Sequence, residues 1–165
     1  MIAAFDVQYF KDGGARAAAV CFSSYGDARP EMQYTMLFSH TRAYVPGEFY
    51  RRELPCILSL LDRFETAPQV IIIDGYVMLG VKPGLGRHLF DALGQTASVI
   101  GVAKSRFHSA VCREVFRGES RKPLYITTAG MDPAQAAEEI RSMHGIYRIP
   151  TLLKTVDHLA RGRNT

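Results

Sequence analysis

VIIIDG, residues Val70–Gly75, decides how this chain folds: four successive large apolar residues, all β-branched, are closed by an acid and a glycine. A strand with one wet face alternates polar and apolar residues, so an unbroken apolar run reads as a strand buried on both faces. Such strands lie inside a sheet that helices cover on either side. Working outward, Ile2–Phe10 is rich in strand-favouring residues, Lys11–Ala15 supplies glycines for a turn, and Arg16–Ser23 and Glu31–His40 read as the next two strands. Together they predict an antiparallel three-strand meander.

From Phe49 the period changes. Phe49, Leu54, Ile57, Leu58, Leu60 and Leu61 fall on one face of a helix reaching about Phe64, with Pro55 tolerable only in an early turn. Beyond VIIIDG, Leu85–Leu93 reads as helical, Ser98–Ala103 as a second buried strand and Leu124–Thr128 as a third short one. Asp132-Pro133 opens a further helix with an acid at the cap and proline in the first turn, and Thr151–Ala160 is the last. The expected fold class is α/β: a mixed sheet, the meander plus parallel strands, with helices on both faces. Right-handed crossovers place the Val70 strand beside the Ile2 strand at its centre.

Composition bounds the function. The 165 residues suit a single domain, and 22% charged with 47% hydrophobic residues is a globular balance. No apolar run approaches the roughly 20 residues of a membrane helix, and MIAAFDVQYF lacks a secretory layout, so a cytoplasmic protein with no membrane partner is expected, monomeric by default. Cys21, Cys56 and Cys112 are odd in number and far apart, which predicts reduced thiols. The five histidines show no zinc-type pairing, and the net charge of +4 permits a polyanionic partner.

Strand adjacency turns three scattered acids into a constellation. Asp6 lies within an otherwise apolar strand, Asp74 ends the strand placed next to it, and Glu53 lies on the helix between them in sequence. Taken singly, each also fits a strand end, a turn or a cap. Taken together, clustered carboxylates repel, and must protonate or hold a cation. Oxygen donors without cysteine or histidine suit Mg²⁺ or Mn²⁺, and such ions serve phosphodiester hydrolysis.

Several segments resemble the endonuclease V family, ribonuclease-H-like nucleases that cut near deaminated purines, chiefly hypoxanthine in inosine, in DNA or RNA. IAAFDVQYF with the following glycine turn and ARAAAVCF resembles the family's opening strands, YVPGEFYRRELP its "Y-I/V-P-G … F-R-E" segment, VIIIDG its "V-D-G" strand and VIGVAKS its "I-G-V-A-K" strand. PLYITT and GIYRIPTLLKTVDHLA resemble its closing portion, "G-Y-R-L-P-x-P-T-R-x-A-D". The resemblance implies a ribonuclease-H-like fold over residues 1–165 and a Mg²⁺-dependent or Mn²⁺-dependent endonuclease acting in nucleic-acid repair or processing. It implies Asp6, Glu53 and Asp74 as metal ligands and Lys104 as a further catalytic group. It also implies Tyr44 as a wedge that takes the place of a base turned out of the stack, on a tip fixed by Pro46 and Gly47. Arg51, Arg52 and Gly75 complete the nucleic-acid contacts, the arginines reading equally as a solvated helix face.

The departures predict changes. Where the family has "H-G" and then "H-P-R" after Asp74-Gly75, this chain has YVMLGVKPGLG, and Val77 is expected to narrow a base pocket. The family's active-site histidine after PLYITT is replaced by Ala129-Gly130, and Asp132 is a candidate fourth carboxylate or a simple helix cap. A relative that binds nucleic acid without cutting, or a nuclease with a changed substrate, are the alternative functions.

Overall fold

The computed structural model describes residues 1–41, 43, 45, 46 and 48–163. The meander forms as β1 (Ile2–Tyr9), β2 (Ala15–Phe22) and β3 (Met32–Phe38), followed by α1 (Tyr50–Leu61) and β4 (Val70–Asp74). A two-stranded ribbon, β5 (Met78–Leu79) and β6 (Lys82–Pro83), leads into α2 (Leu85–Ala92). Then come β7 (Ser98–Ala103), β8 (Arg113–Val115), β9 (Leu124–Ala129), α3 (Pro133–Ser142) and α4 (Thr151–Ala160). The main sheet runs β3-β2-β1-β4-β7-β9-β8, with β1, β4 and β7 parallel and the rest antiparallel. β4 therefore pairs with β1 at the centre, as a right-handed crossover requires.

Period-two alternation divides the core between two layers. Ile2, Ala4, Ile72, Ile100 and Val102 face α3 and α4, where Ile140, Leu152 and Val156 close over them. Ala3, Phe5, Val7, Ile71, Ile73 and Val99 face α1 and α2, under Ile57, Leu60 and Leu89. Every residue of β2 except Arg16 is buried, and its alanines leave room for helices on both sides.

Three sequence expectations change. Pro55 lies well inside α1 rather than in its opening turn, because the helix begins at Tyr50; Pro55 has no N–H for the Arg51 carbonyl one turn back. β9 returns antiparallel to β7, and β5, β6 and β8 are strands of two or three residues that pattern reading passes over. All three cysteines are free, Cys21 and Cys56 buried. Among the described residues no helix is long and apolar enough to cross a membrane.

Candidate active site

Strand parity brings Asp6, Asp74 and Lys104 to one place. Phe5 and Ile73 are register partners, so Asp6 and Asp74 stand side by side one step further on, and Asp74 in turn pairs with Val102, two residues before Lys104. All three share the parity of Ala4, Ile72 and Val102, the residues that face the α3–α4 layer. Lys104 Nζ donates to Asp74 Oδ2 at 2.5 Å.

A cleft of about 1080 Å³ opens over these side chains. Asp6, Asp74 and Lys104 lie at one end; α4 contributes Asp157 and His158, and the opposite wall comes from residues 118–120 and 146–149. Burial, followed by repulsion from Asp74 and Asp157, pushes the Asp6 carboxyl up to about 6. The Val7 N–H, which donates to Asp6 Oδ1 at 2.9 Å, pulls the other way, as does Lys104. Burial works against the Lys104 ammonium, yet the Asp74 ion pair outweighs it and holds the lysine above its ordinary value. Burial likewise opposes ionisation of Asp157, but Arg161, donating from Nε at 2.9 Å and Nη2 at 3.0 Å, keeps it below the usual carboxylate range.

Glu53 arrives from the other layer. α1 carries it to the same end of the sheet, where it is 4% exposed and its Oε2 has no hydrogen-bond partner. Burial first, then Asp6 and Asp74, hold this carboxyl well above the carboxylate range. The three acids sense one another without forming a closed ligand set: among the described residues no three His, Cys, Asp or Glu side chains stand close enough to hold one ion. Two features explain this. Glu53 approaches from the α1 face while Asp6 and Asp74 point to the α4 face, and Asp74 is drawn toward Lys104. The donor chemistry nevertheless fits a hard divalent cation, which takes oxygen ligands and offsets repulsion among buried carboxylates, Glu53 Oε2 among them.

The backbone that carries Lys104 is braced from two sides. Arg148 donates from Nη2 to the Lys104 carbonyl and to the Pro123 carbonyl, the latter at 2.7 Å. Tyr76 donates its hydroxyl to the Ser105 carbonyl at 2.7 Å and accepts the Phe107 N–H at 3.0 Å. Gly75, between Asp74 and this tyrosine, has a φ of +134° with no neighbour within 4 Å of a would-be side chain.

The remaining predicted residues separate. Tyr44 and Gly47 lie outside the described residues, and Pro46 sits exposed in a turn. Arg51 is half-exposed and paired with Glu48 at 2.8 Å. Arg52 folds inward, its guanidinium 4.1 Å above the Tyr9 ring and its Nη2 3.2 Å from Thr41 Oγ1. Asp132 is not a fourth carboxylate of this site. It caps α3, accepting from the Ala134 and Gln135 N–H groups at 2.9 Å, and antiparallel β9 delivers it to the end of the sheet where β7 begins, away from Asp74. The same topology removes Ala129-Gly130 from the acids, so the histidine expected there would not have reached them. Val77 does not narrow a surface pocket either; it is 1% exposed, packed on Ile73 and Gly86, with its N–H donating to Thr127 Oγ1 at 2.9 Å.

Sequence reading missed Asp157, Tyr76 and Arg148. A signal for the first was present: laid in register from Tyr147-Arg148, the closing pattern's final acid falls on Asp157. Arg148 is the arginine of that same pattern, but neither its bracing role nor that of Tyr76 can be read from sequence, since their partners are main-chain carbonyls and an amide.

A family model described as Endonuclease V matches residues 1–136. An endonuclease V of Nostoc punctiforme is 27% identical, the match covering 98% of this chain and 82% of the relative. The crystal structure of endonuclease V from Streptomyces avermitilis superposes with a TM-score of 0.78 at 26% identity, over 98% of this chain and 79% of that one. The fold is shared further with Ciona intestinalis endonuclease V in complex with a 24mer DNA containing an inosine followed by a ribo-adenosine, at a TM-score of 0.83, 19% identity, and coverage of 98% and 84%.

Proposed function

This chain belongs to the endonuclease V family, and on that footing we propose that it is a divalent-metal-dependent endonuclease that hydrolyses phosphodiester bonds near deaminated bases, inosine foremost, in DNA or RNA. The observation that carries this reading is the meeting of Asp6, Asp74 and Lys104 on one face of the sheet with Glu53, buried and with an unpartnered oxygen, at the same sheet end. A binding module has no use for acids gathered where a polyanion must lie.

Mg²⁺ or Mn²⁺ would be held by Asp6, Glu53 and Asp74, and supplies when bound an acidified water and neutralisation of charge on the attacking and leaving oxygens. Lys104, braced by Arg148 through its carbonyl, places its ammonium beside Asp74, where it offsets charge that develops on the scissile phosphate. Asp157, kept ionised by Arg161, accepts a hydrogen bond from the attacking water. Tyr44, in the Y-V-P-G stretch with Pro46 and Gly47, wedges into the strand beside the extruded base, Gly75 lets the backbone approach it, and Arg51 adds a phosphate contact that is indifferent to sequence.

A second reading, binding without cleavage, draws on the Asp74–Lys104 pair, which engages one oxygen of a proposed ligand. Cleavage assays on inosine-containing and plain oligonucleotides, single- and double-stranded, with and without Mg²⁺ or Mn²⁺, separate the two. Metal-dependent nicking that Asp74→Asn abolishes supports the nuclease; tight binding with no nicking under either metal supports the alternative.

A further inference from the structure

One wall of the cleft is more than the edge of the catalytic centre. Ile146 and Tyr147 are 77% and 69% exposed, neighbours in sequence that set an aliphatic and an aromatic group side by side on the wall of the cleft. Their backbone is nevertheless held firmly from beneath. Arg117, 6% exposed, donates to the carbonyls of Arg141, Met143, Gly145, Tyr147 and Arg148, at 2.8 Å to Tyr147 and 3.0 Å to Gly145. A buried guanidinium whose whole fork is spent on carbonyls fixes a loop far more tightly than the loop's own sequence does. Gly118, at φ +56°, lets the same loop descend onto it: a Cβ there would stand 2.1 Å from the Ile146 carbonyl oxygen. The exposed aromatic is thus presented by a rigid mount.

This wall and α4 belong to the layer opposite α1. Asp6 and Asp74 point toward this layer and line the same cleft. A strand laid across Asp6 and Asp74 runs on along the cleft they line. Its exit is lined by the exposed Lys154 together with His158, against Glu119 and the paired Asp157. The cation on the rim suits a departing phosphate, and Tyr147 with Ile149 and Leu153 suits a base.

We propose that the Tyr147 side of the cleft is a nucleotide subsite, taking one unpaired base of the substrate strand beyond the scissile phosphate, on the side away from the deaminated base. The inference rests on the nuclease reading above. Tyr147 stacks on that base, and Lys154 lies beside its phosphate.

The test is an abasic scan of inosine oligonucleotides, read by fluorescence anisotropy on Asp74→Asn protein and by cleavage on the parent. Removing the base at the subsite position weakens binding roughly ten-fold, the worth of one base–aromatic stack. In Tyr147→Ala the same removal costs nothing further, and Tyr147→Phe restores the sensitivity. Equal sensitivity to base removal with and without the Tyr147 ring, or none in either, overturns the subsite while inosine-directed cleavage by the parent leaves the nuclease standing. If the parent neither binds nor cuts any of the oligonucleotides, both fall together.

Discussion

Arg148 donates to the main-chain carbonyl of Lys104, the residue whose ammonium reaches Asp74 at 2.5 Å. Lys104 follows directly on β7, so its position depends on what restrains the chain just past the strand. Arg148→Met removes that restraint without touching the ammonium. Turnover is expected to fall between about ten- and a hundred-fold, the scale of a small misplacement at a reacting centre, with KM little changed. Steady-state kinetics separating kcat from KM checks it, and Tyr76→Phe, which loses the bonds to Ser105 and Phe107, should act in the same direction.

Asp6 makes stability depend on pH in a direction unusual for a carboxylate. Its folded value is raised from 3.8 to about 6, so the fold favours the protonated form. The stability it contributes is complete below pH 3.8 and is lost as pH rises through about 6. In chelator-treated protein Asp6→Asn should therefore gain on the parent between pH 4 and pH 8 by roughly 2–3 kcal/mol. Urea melts at the two pH values test this, and a flat difference would remove the burial and crowding of this carboxyl from the account.

Glu53→Gln keeps shape and buries no new charge, so folding should be intact. Cleavage should drop by more than about a hundred-fold, beyond what losing a supporting contact produces. The decisive readout is calorimetric: Mg²⁺ or Mn²⁺ raises the Tm of the parent and leaves that of Glu53→Gln unmoved.

Asp132 and Asp157 should part company. Asp132→Ala loses the α3 cap and about 1 kcal/mol of stability, with cleavage unaltered. Asp157→Asn should lower cleavage while leaving α4 folded, as circular dichroism would show.

Arg117→Met leaves the buried carbonyls of the 141–148 segment without their donor. The loss should reach at least about 3 kcal/mol, since several such groups lose their partner at once. Chemical denaturation measures it directly.

Much of this was legible in the chain itself, for physical reasons. Val70–Ile73 and Val99–Val102 are apolar without alternation because both of their faces are covered, and that alone placed them in the middle of the sheet. Asp6 and Asp74 were found because an acid in or at the end of such a strand is conspicuous. Asp132 fits both a helix cap and a fourth carboxylate in the sequence, because pattern cannot say whether Leu124–Ala129 runs up or down; its antiparallel pairing with β7 leaves the cap. Strands as short as Met78–Leu79 carry no period to detect. Nothing in the sequence marks Arg117 as buried, since the carbonyls that enclose it come from 24 to 31 residues away.

α4 lies over the Ile2–Ala4 and Ala18–Phe22 stretches of the first two strands, although it is made from residues 151–160. A nascent chain on the ribosome therefore carries that apolar surface bare until residues 151–160 have been made, and lacks Asp157 and the Tyr147 wall until the same stage. Chains interrupted before residue 151 should be sticky and catalytically silent, material for chaperones and proteases.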